Sequence, residues 1–214
     1  MARKQEIAVD TAMPEQVSRT AAKFTRKRLA VLRGAARVFA RLGFHRASLA
    51  DVGTELDLTA AAIYYYVSSK DEMLYQCGQV ALEQLNAALK EAWDSGADGL
   101  DSLRVFFRKY AEIVCDDFGR CLVLTNADDL PTEFRDGALA GRRALDSQVR
   151  EMIRRGIADG SLRDVSPHGL SSMLFGSLNS MTRWWTPDGP LQPAQVADLY
   201  LDMLVQGITP VRNS

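Results

Sequence analysis

The sequence predicts an all-α protein, a unit of three short helices followed by six more. Three observations predict it. Apolar residues recur at i, i+3 and i+4 along most of the chain, in blocks separated by Gly, Pro and Asp. Serine followed three residues later by an acid, the mark of a capping box, occurs at Ser48 with Asp51 and at Ser69 with Glu72. The short apolar run Cys121 to Thr125 passes for a strand in isolation, but it lies in an otherwise helical chain and is read as helix. With 47% apolar and 25% charged residues, 214 residues can bury one or two cores.

Residues 1–20 mix charged and small residues around Pro14 without a clear apolar period, and read as a flexible N-terminal extension. The first helix runs from about Thr25 to Leu42, with Leu29, Leu32, Ala36 and Phe39 on one row, and stops at Gly43, a natural C′ glycine. Net charge is −1, yet from Ser18 to Ala50 there are nine basic residues and no acid. That asymmetry is the footprint of a basic, nucleic-acid-facing end. Arg33, Arg37 and Arg41 fall on one i, i+4 row and read as a solvated face. Arg26, Lys27 and Arg28, at the start of the helix, are better placed for a phosphate or a minor groove.

Ser48 caps a second helix whose inner face is Leu49, Val52 and Leu56; Asp57 and Leu58 break it. Thr59 caps a third, from Ala60 to Val67. Ile63 and Val67, at i and i+4, face inward with Phe39 and Phe44, which turns Ala60, Ala61, Tyr64 and Tyr65 outward. Two short helices joined by a tight turn form a helix-turn-helix unit. Small residues at the start of a helix let its backbone approach base edges in a major groove, and tyrosine hydroxyls reach phosphates. The alternative is that Tyr64, Tyr65 and Tyr66 are partly buried packing residues.

These residues carry a resemblance. AAIYYYVSSKDEML, within the stretch Gly43 to Leu74, resembles the DNA-binding domain of the TetR family of transcriptional regulators. Val67 stands where Phe is commoner and Asp57 where the turn often has Gly, although Asp tolerates a left-handed backbone. The resemblance implies groove-facing roles for Ser48, Ala50, Ala60 and Ala61, with Thr59 at the cap beside them. It implies base and phosphate contacts for Tyr64 and Tyr65, and phosphate contacts for Tyr66 and Lys70. Residues 21–69 are then the helix-turn-helix DNA-binding domain, and 70–214 a six-helix ligand-binding and dimerisation domain.

The fourth helix starts at Lys70 and runs to about Trp93; DSGADG follows as a loop. The fifth spans about Leu100 to Cys115, the sixth is the run at Cys121, and the seventh runs from about Thr132 to Ala158. An eighth, about Pro167 to Trp185, carries Leu174, Leu178, Met181 and Trp185 among small residues; a ninth, about Ala194 to Gly207, carries Val196, Leu199, Tyr200 and Met203. So much apolar surface on two terminal helices needs a partner. The resemblance implies a homodimer through them, presenting two recognition helices to a palindromic double-stranded DNA operator.

The resemblance also implies an effector pocket among helices four to eight. Its candidates are Phe106, Phe107, Tyr110, Leu124, Phe134, Met152, Met173 and Phe175, with Asn179 and Arg183 for a polar part; each also reads as core or ordinary surface. RWWTPDGPLQPAQVADLYLDMLVQGI resembles a subgroup that includes regulators of fatty-acid and steroid breakdown, several of which respond to acyl-CoA thioesters. The expected activity is a ligand-released repressor with an acyl-CoA effector; a different hydrophobic effector, or activation, stays open. A helical protein-binding adaptor is the alternative of another class.

No enzyme is expected. Two histidines far apart, His45 and His168, three cysteines without metal-ligand spacing and no phosphate-binding loop give no catalytic constellation and imply no cofactor or metal. Cys77, Cys115 and Cys121 read as reduced packing thiols in a cytoplasmic protein. With no apolar run of bilayer length and no charged-then-apolar leader, no membrane partner is expected.

Overall fold

The computed structural model describes residues 13–95 and 98–206, apart from the side chains of 13–18 and 20. They form α1 (Met13–Leu42), α2 (Leu49–Leu56), α3 (Ala60–Tyr64), α4 (Lys70–Asp94) and α5 (Gly99–Cys115), then α6 (Asp117–Leu124) and a 3₁₀ turn at Ala127–Asp129. After these come α7 (Thr132–Asp159), α8 (Pro167–Asn179), α9 (Met181–Trp184) and α10 (Pro193–Gln206). No strand occurs among the described residues.

Four elements differ from the sequence reading. α1 begins at Met13, twelve residues before Thr25, so the boundary drawn at residue 20 falls inside a helix roughly 45 Å long. Pro14 sits in the first turn, where its missing N–H costs nothing, and no breaker follows. Residues 1–12, the rest of the expected extension, lie outside the described residues. α3 ends at Tyr64 rather than Val67; the N–H groups of Tyr66 and Val67 both turn back to Ile63 O, which carries Val67 into the core. α6 begins at Asp117, four residues before Cys121. The expected eighth helix breaks at Ser180. There Ser177, Ser180 and Thr182 hydroxyls each donate to the carbonyl three residues back, competing with the helical ladder.

Among the described residues, two apolar clusters hold the fold. One joins α1, α2 and α3 to the first turns of α4 and to Phe118 and Cys121 of α6. The other joins the second half of α4 to α5, α7, α8, α9 and α10. α4 is therefore continuous through both, and a cut at residues 69/70 divides the first cluster. Phe39, Phe44, Leu49, Val52, Ile63 and Val67 are buried as their spacing predicts, and Leu56 is half-buried against Gly34. Each fully buried Phe, Ile or Leu of this set contributes about 1.5–3 kcal/mol. Gly43 and Gly160 end α1 and α7 with φ of 79° and 82°, and Asp57 takes the left-handed turn at φ 54°.

The row Arg33, Arg37, Arg41 is not simply solvated. Arg33 pairs with Asp116 at 2.8 Å and Asp117 at 3.4 Å, Arg37 with Glu55 at 2.9 Å and Asp117 at 3.3 Å, and Arg41 with Glu55 at 3.2 Å. A ladder of charge thus ties α1 to α2 and to the start of α6. Its acids lie in other helices, so a helix-by-helix reading does not see it. Arg108–Asp198 and Arg104–Asp202, both 2.6 Å, tie α5 to α10. Cys77 and Cys121 are fully buried; burial pushes the Cys77 thiol well above its ordinary range, and its S–H donates to Leu32 O at 3.3 Å.

Candidate nucleic-acid interface and effector cavity

The local chemistry of α2 and α3 sets the outward surface. Ser48 Oγ accepts from Asp51 N–H at 3.2 Å while Ser48 N–H and Oγ–H both donate to Asp51 Oδ2, at 2.8 and 2.6 Å. These bonds hold the Asp51 carboxyl below its usual pKa and leave the Ser48 hydroxyl committed to its own helix. Thr59 Oγ1 accepts from Ala62 N–H at 3.2 Å. On α3 Ile63 is fully buried, Ala60 and Ala61 are exposed, and Tyr64 and the following C-cap residue Tyr65 are 58% and 71% exposed. Ala50 is exposed beside them.

Tyr66 is placed otherwise. Half-buried, its ring stacks on Phe24 of α1 with centroids 5.5 Å apart, and Phe24 meets Tyr65 edge-on at 5.6 Å. Arg28 Nε donates to Tyr66 O at 3.3 Å, so this arginine anchors the end of α3, while Arg26 and Lys27 are exposed. The sequence reading missed Phe24 because it began the helix too late. Its spacing of seven from Val31, and again to Val38, carried the signal.

Lys70 is the main correction to the DNA-facing set. Its Nζ donates to Phe44 O at 3.0 Å and Ala47 O at 3.1 Å, and lies 4.4 Å from the Phe44 ring centroid. It satisfies carbonyls in the loop from α1 to α2 instead of reaching outward. Lys70→Ala is therefore expected to lower the melting temperature by roughly 3–8 °C, the worth of charged hydrogen bonds in a chain of this size. The slope of log affinity against log salt should stay within about half a unit of wild type; a slope lowered by about 1 at unchanged stability would assign Nζ to phosphate instead.

A cavity of about 200 Å³ lies between α4, α5, α6, α7 and α8, lined by Leu82, Leu85, Tyr110, Leu122, Val123, Arg142, Leu145, Asp146, Phe175 and Asn179. Tyr110, Phe175 and Asn179 are thus the expected ligand residues that reach it. Tyr110 OH donates to Asn179 Oδ1 at 2.6 Å, and burial raises its pKa, so it stays a neutral donor.

The other ligand candidates go elsewhere. Phe106, Phe107 and Met152 are fully buried packing, the two rings in edge contact with Phe175. Phe134 lies against Tyr75, centroids 5.2 Å apart, in the other cluster. Leu124 is half-buried at the end of α6 and does not line the cavity, and Arg183 is exposed on α9. Met173 faces a second cavity of about 500 Å³, between the start of α5, the α7–α8 loop, α8 and α10. Arg142 was missed. A basic residue three and seven positions before Leu145 and Val149, on the apolar face of α7, was the available signal.

On the terminal helices Leu174, Leu178, Met181 and Val196 are buried in the chain's own core, so they are not free for a partner. Trp185 and Tyr200 are half-buried, the former donating from Nε1 to Leu191 O at 2.8 Å. Met173, Trp184, Leu199, Met203 and Val205 are exposed apolar residues of these helices, at 43–49%. Among the described residues no group of three or more His, Cys, Asp or Glu is placed to hold a metal, and no helix is long and apolar enough to cross a membrane.

Residues 31–77 match the family described as bacterial regulatory proteins, tetR family, and residues 96–208 match the tetracyclin repressor-like C-terminal domain. The HTH-type transcriptional repressor KstR2 of Mycobacterium tuberculosis is 25% identical over 196 residues, covering 90% of this chain and 98% of its own. The solved structure of the TetR family regulator PfmR from Thermus thermophilus superposes with a TM-score of 0.75 at 31% identity, over 84% of this chain and 99% of that one. AibR, solved in complex with isovaleryl coenzyme A and operator DNA, gives 0.74 at 21% identity, over 82% and 96%.

Proposed function

This chain belongs to the tetR family of bacterial regulatory proteins, and from that premise we propose that it is a ligand-released transcriptional repressor, acting in the cytoplasm as a homodimer on a palindromic operator. The observation that carries the reading is the face of α3. A five-residue helix anchored by one buried isoleucine leaves Ala60, Ala61, Tyr64 and Tyr65 to solvent, beside exposed Arg26 and Lys27. Such a face gains little by packing and fits a major groove, with Tyr64 and Tyr65 toward bases and phosphates. Three alanines in succession leave few hydrogen bonds for base readout, so methyl contacts, Tyr65 and DNA shape supply much of the specificity.

Leu199 and Met203 of α10, with Met173 of α8, form the dimer face in this reading. Leu199→Lys with Met203→Lys is expected to give a monomer in sedimentation and to lower operator affinity by about 10²-fold, since each half-site must then be bound alone. A dimer of unchanged operator affinity would contradict that assignment.

The effector enters the cavity between α4 and α8. KstR2, a relative, is described as a ketosteroid transcriptional regulator, and AibR binds isovaleryl coenzyme A; an acyl-CoA thioester is accordingly the effector class favoured here. α6 walls the cavity with Leu122 and Val123 and is held to α1 through Asp116 and Asp117. A shift of α6 is thereby communicated to α1 and α2, and a coupling of about 1–3 kcal/mol changes operator affinity roughly 5- to 150-fold. Titrating a series of acyl-CoAs into an operator complex, with operator release as the readout, tests this. Unchanged affinity across the series would contradict the effector class.

A further inference from the structure

The polar wall of the cavity is unevenly charged. Asp146 is already neutralised, since Ser171 Oγ donates to its Oδ1 at 2.9 Å and Arg150 pairs with its Oδ2. Arg142, one turn earlier on α7, has no carboxylate within ion-pair distance among the described residues, and Asp128 acts on it only from farther away. Its Nη2 donates to Leu122 O at 2.9 Å and Thr125 O at 3.4 Å, which closes the end of α6, but Nε is buried without an acceptor. Burial disfavours this cation, yet a guanidinium does not deprotonate inside a protein. A buried charge in that state is stabilised by an incoming oxygen. Across the cavity Asn179 Oδ1 is taken by Tyr110, which leaves its amide N–H₂ as a second donor.

We propose that Arg142, with Asn179, holds the oxygen of an acyl head group, a carboxylate or a thioester carbonyl, while an aliphatic chain fills the leucine, valine and phenylalanine wall. This rests on the effector reading above and narrows it. Arg142 is also placed to relay occupancy: the guanidinium that turns toward a ligand oxygen gives up its bonds to the end of α6, whose other end is ion-paired with α1.

The test uses the full-length protein and three probe series of matched chain length: straight-chain carboxylates, their CoA thioesters and the corresponding 1-alkanols. Binding is read by calorimetry and operator release separately by fluorescence anisotropy. At least one acid or thioester should bind wild type about tenfold or more tightly than its alcohol. Arg142→Gln should weaken that ligand by about 10- to 100-fold and leave the alcohol unchanged, the worth of a hydrogen bond to a charged group. Arg142→Lys, which keeps the charge, should retain the order acid over alcohol at lower affinity, and stands in if the glutamine variant does not fold. Preference for acids alone identifies the carboxylate; preference for thioesters alone identifies the carbonyl with the nucleotide outside. Equal binding of acids and alcohols, unaltered binding by Arg142→Gln, or no binding in any series would overturn the proposal. Arg142-dependent binding without operator release would support the site and count against the effector reading alone.

Discussion

Gly53→Ala is expected to lower operator affinity by about 10- to 100-fold. A Cβ at Gly53 would lie 2.5 Å from the carbonyl oxygen of Leu58, a backbone atom that cannot swing aside as a side chain could. The same two residues are tied by the Leu58 N–H bond to Gly53 O at 2.8 Å, and Asp57 between them is already in the left-handed region. The methyl therefore either breaks that bond or drives α3 away from α2. Forcing such an overlap costs about 1–3 kcal/mol, and any of it relieved by tilting α3 displaces the Ala60 to Tyr65 face from its groove. Anisotropy titration of the variant on operator DNA checks this. Affinity within about threefold of wild type would mean that the α2–α3 angle does not govern binding.

The largest loss of stability is expected at the other end of the molecule. Gly99, the first residue of α5, sits so close to α7 that a Cβ would be 2.2 Å from Gly156 Cα and N and 3.0 Å from Met152 O. Every neighbour is backbone. The crossing is held by Gly99 N–H to Asp159 Oδ2 at 2.8 Å and Leu100 N–H to Ser161 Oγ at 3.1 Å. Hydrogen bonds from Ser161, and then from Gly99, also depress the Asp159 pKa. Gly99→Ala must push α5 off α7, which loosens the contacts around Val149, Met152 and Phe106. A cost of about 3 kcal/mol, the upper end for overpacking, lowers the melting temperature by roughly 6–12 °C in a chain of this size. Calorimetry reads it directly; a fall of less than about 2 °C would show that the crossing yields easily.

What could be read from the sequence divides by distance along the chain. The helix-turn-helix unit was legible because its determinants are local: Ser48 with Asp51, Thr59 with Ala62, and Ile63 with Val67 lie within four residues of one another. The outward turn of Tyr64 and Tyr65 follows from the same spacing. Lys70 was not legible, because the carbonyls that hold it are 26 and 23 residues away. Nor was the partnering of Arg33 and Arg37, whose acids at Asp116 and Asp117 arrive with α6.

The cavity was the hardest part to see. Phe106 and Tyr110 sit one turn apart on one helix, and nothing in the apolar period says that the first fills the core while the second reaches empty space. The same limit applies to the terminal helices. Leu174 and Leu178 carry the strongest apolar spacing and are buried within the chain, while the less regular Met173, Leu199 and Met203 are left exposed.

Sequence-specific DNA binding by the α2–α3 unit underlies the proposed repression. Its most direct test is affinity for duplex DNA from upstream of the protein's own gene, against a scrambled duplex, across a salt series. A specific-to-nonspecific ratio of about 10³ or more is expected at physiological salt, carried by Tyr64, Tyr65 and the basic residues of α1. A ratio of about 1 at every salt concentration would contradict it.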